Sequence, residues 1–141
     1  MSFEPQNASG LIPHKPPFVL VDWLLYADEK KSSCSFKIPE GNIFAEQGFY
    51  STPGMVESMA QTAAAGTGYL FKKENKPVPV GYIGSLQKLV VIDWPPVNAK
   101  IMMEISLLTN ILQVSLVSCQ VKYEGKIMAS CEMKIFVNSL S

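Results

Sequence analysis

The chain has 141 residues, enough for one domain with a single core and too few for two ordinary ones. Its formal net charge is zero, 17% of its residues are charged and no basic run appears, so nucleic acid has no electrostatic footprint here. Hydrophobic residues make up 48%, yet no uninterrupted apolar stretch approaches about 18 residues, so no membrane span is expected.

Residues 1–10, MSFEPQNASG, have neither the basic start nor the apolar run of a signal peptide. They read as a flexible lead-in to a single domain over 11–141. A Pro-rich turn at 13–17 precedes a nearly continuous apolar run from Phe18 to Tyr26. Proline cannot donate to a ladder, so the first strand is expected to begin after Pro17. Asp28 to Lys31 form a turn, and SSCSFKIP alternates as a second strand. Residues 40–52 are irregular.

Residues 53–73 read as one helix. Ser51 or Thr52 can cap it, Pro53 suits the first helical position, and Lys72 with Lys73 suit the last turn. Four strands are expected to follow, at about 81–92, 99–109, 111–123 and 127–137. Asn110 and Glu124-Gly125 mark turns between the last three. In the final strand Ile127, Ala129, Cys131, Met133, Ile135 and Val137 share one face, with Met128 and Phe136 as exceptions.

The order strand, strand, long helix, four-stranded meander predicts an α+β architecture: an antiparallel sheet wrapped around one long central helix. Small side chains in AQTAAAGTG let the sheet approach that helix closely. The three cysteines, Cys34, Cys119 and Cys131, lie in strand-like apolar segments without metal-ligand spacing. They read as buried thiols of a cytoplasmic protein. No phosphate loop, GxGxxG or metal cluster is present, so no cofactor and no metal is expected. Met55, Met59, Met102, Met103, Met128 and Met133 suit an acyl channel or core filling equally well.

One acid, Glu57, interrupts the otherwise uncharged first turns of the helix. Taken alone it is either a helix-dipole carboxylate or a functional acid in a cleft. Four motifs favour the second reading: IPHKPPFVLVDWLL, ESMAQTAAA, GYIGSLQKLVVIDWPPVNAKIMMEISLL and CQVKYEGKIMASCEMKIFV. Together they span about 11–137, and on them the sequence resembles the hotdog-fold β-hydroxyacyl-acyl carrier protein dehydratases.

The resemblance implies that Glu57 is catalytic, that the substrate is a thioester carried by acyl carrier protein or coenzyme A, and that no cofactor is needed. It also implies pairing as a homodimer or as a heterodimer with a homologue. The family's second catalytic residue is a histidine in a Gly-His-Phe-Pro-Gly-His-Pro loop. Here Gln47-Gly48 match, Phe49 stands where the histidine should be, and Glu57 follows Gln47 by only ten positions. Dehydratase-like proteins of aryl-polyene and flexirubin-type pigment pathways are similar in keeping the glutamate and losing this histidine.

Dehydration needs a base for the α-proton, an acid for the β-hydroxyl and donors for the thioester oxygen. A carboxyl group in an apolar pocket suits the acid. That role is expected of Glu57. His14 is the only histidine and so the only imidazole available as base. In the resembled family its position lies near the substrate tunnel without acting as base, and a bond to a backbone carbonyl is its alternative role. Gly54 would let substrate approach the helix N-terminus, whose N–H groups can face an oxyanion. Gln61, one turn after Glu57, can orient the carboxylate or bridge helix and sheet. Tyr50 and Phe49 can contact substrate, with packing as the alternative. A hotdog thioesterase, or an inactive acyl-binding subunit paired with an active homologue, are the other functions this pattern allows.

Overall fold

The structure is a computed structural model and describes residues 2–137. In chain order its strands are β1 (Gln6–Asn7), β2 (Trp23–Ala27), β3 (Lys31–Lys37), β4 (Ala45–Glu46) and β5 (Phe49–Tyr50). The helix α1 (Thr52–Lys73) follows, then β6 (Gly81–Val91), β7 (Lys100–Ile111), β8 (Val114–Tyr123) and β9 (Lys126–Val137). Seven strands form one antiparallel sheet in the order β1-β2-β3-β7-β8-β9-β6, and β4 with β5 make a separate small hairpin. The single long helix lies against the large sheet. This is the hotdog arrangement expected from the sequence.

The helix forms where its punctuation places it. Ser51 is the N-cap, its side chain accepting from the Gly54 N–H at 3.3 Å; a proline sits in the first turn, and Lys72 and Lys73 occupy the last. Met55, Met59 and Ala65 enter the core beside Leu24, Cys34, Ile101, Met103, Val121 and Met133. Five of the six methionines considered for an acyl channel are therefore core filling, while Met102 is 39% exposed.

Three elements differ from the sequence expectation. The strand expected from Phe18 begins only at Trp23, because residues 18–20 spend their backbone groups on the helix. Gln61 binds the Leu20 N–H and the Phe18 carbonyl, and Ser58 donates to the Leu20 carbonyl. An apolar run looks alike whether its partner is a strand or a helix. Part of the lead-in is also structured: β1 pairs with β2, Ala8–Leu11 form a 3-10 turn, and Phe3 stacks edge-on against Tyr69 at 5.0 Å. Finally, the turn placed at Asn110 falls at Leu112–Gln113, with Leu112 in the left-handed region at φ 57°. Asn110 instead pairs with Ser115 inside the ladder.

The Glu124–Gly125 turn lies as expected, with φ of 51° and 78°. Alternation in β9 holds for Ala129, Cys131 and Met133 and breaks at its start, where Met128 is buried and Ile127 is 39% exposed. A bulge opposite, between Val121 and Lys122, flips the faces there. Among the described residues the strand β6 bonds to β9 on one side only, and it leaves Tyr82, Ile83, Leu86 and Val90 exposed.

Candidate active site

Three chain segments meet beside the second turn of α1. The 13–17 turn brings His14, the helix brings Glu57 and Gln61, and the stretch from Val78 to Ile83 closes the far side. Their close approach depends on Gly68, where an added Cβ would overlap the Leu11 carbonyl oxygen. The cavity between them measures about 680 Å³, within the range of about 300–1,000 Å³ typical of small-molecule sites.

His14 Nε2 lies 3.5 Å from Glu57 Oε1, and Gln61 Nε2 lies 3.3 Å from the same oxygen. The Gln61 side chain is wholly committed. Its Oε1 accepts from the Leu20 N–H at 2.7 Å, and its Nε2 also donates to the Phe18 carbonyl at 2.8 Å. Because one neighbour is a donor and the other an acceptor, the amide has only one orientation, and its second N–H points at Glu57. The imidazole Nδ1 is buried and has no partner among the described residues. A proton on Nε2 leaves Nδ1 a bare acceptor, which costs less than burying an unpaired N–H. That tautomer aims a donor at Glu57. Glu57 Oε2 has no hydrogen-bond partner among the described residues, and the side chain is 39% exposed, so the apolar enclosure expected around it is partial.

Behind Glu57 a second polar group is closed to solvent. Ser58 gives its proton to the Leu20 carbonyl, so the Tyr50 hydroxyl, 2.8 Å away, donates to Ser58 Oγ. Burial pushes the Tyr50 phenol well above its ordinary range. Thr62 Oγ1 donates to the Ser58 carbonyl at 2.8 Å.

The structure thus brings together Glu57, His14 and Gln61, and sets the other sequence candidates apart. Tyr50 is fully buried, away from the cavity, and contacts Ser58. Phe49 is 51% exposed, bridges to Pro96 and does not line the cavity. Gly54 faces filled space: a Cβ there would lie 2.6 Å from the Tyr50 ring and 2.8 Å from Phe44 Cβ. Substrate has no room at that glycine, and the Gly54 and Met55 N–H groups are taken by Ser51 Oγ and the Ser51 carbonyl. Among the described residues no backbone carbonyl accepts from His14 Nδ1, the bond considered for it from the sequence. Among the described residues no three His, Cys, Asp or Glu side chains converge on a metal position.

A family model described as ApeP dehydratase, ApeP-like, matches residues 6–140. The chain belongs to the ApeP-like dehydratase family. Solved structures agree on the fold of this ApeP-like chain. The dehydratase heterocomplex ApeI:P from Xenorhabdus doucetiae is 13% identical with a TM-score of 0.85, over 96% of this chain and 93% of that one. A hypothetical thioesterase with coenzyme A from Streptococcus pneumoniae is 7% identical with a TM-score of 0.68, over 82% and 84%. An uncharacterised protein from Pyrococcus horikoshii is 12% identical with a TM-score of 0.69, over 88% of each chain. No curated protein matches the chain.

Sequence reasoning missed Ser58 and the segment it anchors. The signal was a Ser and a Gln on one side of a small-residue helix, three positions apart, facing a segment that begins with two prolines. Such polar residues inside an apolar helix need partners, and an extended neighbour with free backbone groups supplies them.

Proposed function

We propose that this ApeP-like protein dehydrates 3-hydroxyacyl thioesters, carried by acyl carrier protein or coenzyme A, with Glu57 and His14 as the proton-transferring pair. The contact between His14 Nε2 and Glu57 Oε1 carries the reading. It answers the loss of the usual loop histidine, whose place Phe49 occupies, by supplying an imidazole from the Pro-rich turn near the N-terminus. Two donors aimed at Oε1 leave Oε2 to meet substrate. That arrangement favours Glu57 as the base for the α-proton and the His14 Nε2–H as the acid for the departing hydroxyl, the reverse of the assignment drawn from sequence. The two transfers are coupled across the same contact: as the Nε2 proton leaves with the hydroxyl, the proton taken by Glu57 passes to Nε2, so His14 stays a neutral imidazole, Glu57 returns to its carboxylate and the α-proton and hydroxyl depart as water. Gln61 holds the carboxylate in place, and Tyr50 through Ser58 holds the segment leading from His14.

The Gly54 and Met55 N–H groups at the helix N-terminus are taken by Ser51 and so do not serve the thioester oxygen, and the cavity is bordered by β6, whose outer edge pairs with no other strand among the described residues. Tyr82, Ile83, Val90, Ile92 and Trp94 along and beyond that edge are between 46% and 64% exposed. A second hotdog subunit, a homologue or another copy, pairing on β6 would cover this apolar surface and complete the cavity wall. The three thiols, all buried and unbridged, fit the cytoplasmic compartment.

The partial enclosure of Glu57 also favours a second reading, in which this chain binds acyl groups and an active homologue does the chemistry. Deuterium exchange separates the two. The wild type should wash deuterium from D2O into the α-position of a 3-hydroxyacyl thioester and release water. His14→Asn should keep the exchange while losing most of the elimination, and Glu57→Gln should lose both. Wild-type protein, alone or with a homologue, whose turnover is indifferent to Glu57→Gln sinks the catalytic reading.

A further inference from the structure

Cys119 on β8 and Cys131 on β9 stand directly opposite each other in the sheet. Opposed residues of an antiparallel ladder turn their side chains to the same face. Here that face is the core, and Cys119 is 1% and Cys131 3% exposed. The ladder also fixes their spacing. The Val137 N–H bonds to the Gln113 carbonyl, and the register runs unbroken from Val114–Phe136 to Cys119–Cys131. Bonded and non-bonded pairs alternate along a ladder, so the cysteines form a hydrogen-bonded pair with Cα atoms about 5.5 Å apart.

That Cα spacing suits a disulfide, whose range is about 4.4–6.8 Å. The Cβ atoms of such a pair start near 5.5 Å and must close by about 1 Å. Each strand is held on its other side, β8 by β7 and β9 by β6, so the sheet resists that closure. A bond formed there is strained, and strained disulfides are readily reduced.

We propose that Cys119 and Cys131 are a reversible disulfide site, oxidised by a peroxide and reduced again by small thiols. The Cys131 thiolate attacks one peroxide oxygen and the O–O bond breaks. The products are a sulfenic acid on Cys131 and hydroxide, which takes up the thiol proton and leaves as water. The Cys119 sulfur then attacks the sulfenic sulfur. The S–S bond forms, the S–O bond breaks, and the hydroxyl departs with the Cys119 proton as a second water. Two thiols of a reductant such as glutathione return the two electrons and become a disulfide themselves. Cys131 acts first: the Cys119 S–H favours its thiolate and holds it below the ordinary thiol range, while Cys119 is held above its own.

Cys34 takes no part. It stands opposite Met103 on β7, two strands from Cys119. Two strand spacings are about 9–10 Å, beyond the limit of about 7 Å for a bridge. The bond does have a route to the Glu57 cavity. Ile135 follows Cys131 and Met133 on the same face of β9 and lines that cavity, so drawing β9 inward at Cys131 shifts its wall.

The test treats the full chain with hydrogen peroxide and reads it by intact mass and peptide mapping. The wild type should lose two hydrogens, yield a Cys119–Cys131 cross-linked peptide and keep Cys34 as a free thiol. Reduced glutathione should restore the starting mass. Cys34→Ala should form the same bond. Cys119→Ala keeps a small apolar side chain in the core, and should gain oxygen at Cys131 instead. Wild-type protein that gains oxygen without losing hydrogens, a cross-link through Cys34, or a bond that glutathione leaves intact overturns the site. The effect on the cavity rests on the dehydratase reading: turnover of a short 3-hydroxyacyl thioester should fall on oxidation and return on reduction. Equal turnover in both states overturns the link to the cavity. A bond that forms in protein with no turnover even when reduced contradicts the dehydratase reading and leaves the disulfide site standing.

Discussion

Glu57 and Ser58 are neighbours in sequence and about 100° apart around the helix, yet they belong to opposite kinds of surroundings. On the Ser58 side every polar group is closed into a network: Tyr50 to Ser58, Ser58 to Leu20, Gln61 to Leu20 and Phe18, Thr62 to Ser58. On the Glu57 side one carboxylate oxygen and the buried His14 Nδ1 have no partners among the described residues. A structural cluster satisfies its groups because leaving them unpaired costs about 1–3 kcal/mol each. A site that must exchange protons with a substrate leaves some of them open. The difference teaches that one helix turn can carry both the fold and the chemistry, with Gln61 bridging them.

That contrast breaks if stability and activity respond together. The largest effect is expected from Glu57→Gln, which should lower dehydration by about 10²–10⁴-fold while urea unfolding shifts by no more than about 0.5 kcal/mol. Next comes Gln61→Leu, which strands the Leu20 N–H and the Phe18 carbonyl and releases Glu57. Denaturant titration should show a loss of about 2–4 kcal/mol, and turnover should fall as well. Tyr50→Phe removes a single buried donor to Ser58. It should cost about 1 kcal/mol and leave KM for a short substrate near the wild-type value.

The smallest effect concerns the interior thiols. Burial pushes the Cys34 thiol up to about 12, offset only in part by its contact with Thr62. The unfolded thiol titrates near about 8.5. The stability this burial protects is therefore whole below about pH 8.5 and declines as pH rises toward the native value. Native protein at pH 8 should resist thiol-directed alkylation at Cys34, and unfolding in denaturant should expose it. Rapid native labelling would show that the inner side of the helix opens.

The helix, the meander and the single-helix architecture were legible because each is written locally. Ser51 and Pro53 mark one end of α1, Lys72 and Lys73 the other, and Glu124–Gly125 has the composition its turn requires. Glu57 was legible as an isolated acid in a motif. What escaped depends on pairing across long separations. The apolar run after Pro17 carries no sign that residues 18–20 will bond to side chains of a helix some forty positions later. Nor does PHKPP reveal that its imidazole meets Glu57, since only the folded turn, held over Gly68, brings the two within 3.5 Å. Gly54 was read as open to substrate because it stands beside the catalytic motif, and Tyr50 as either a substrate contact or a packing aromatic. Their mutual packing closes that space.

Incubating a 3-hydroxyacyl thioester with purified wild-type protein and with Glu57→Gln, and weighing the acyl product by mass spectrometry, tests the central claim most directly. The account predicts loss of one water with the wild type and intact substrate with the variant. Equal loss of water with both proteins would contradict it.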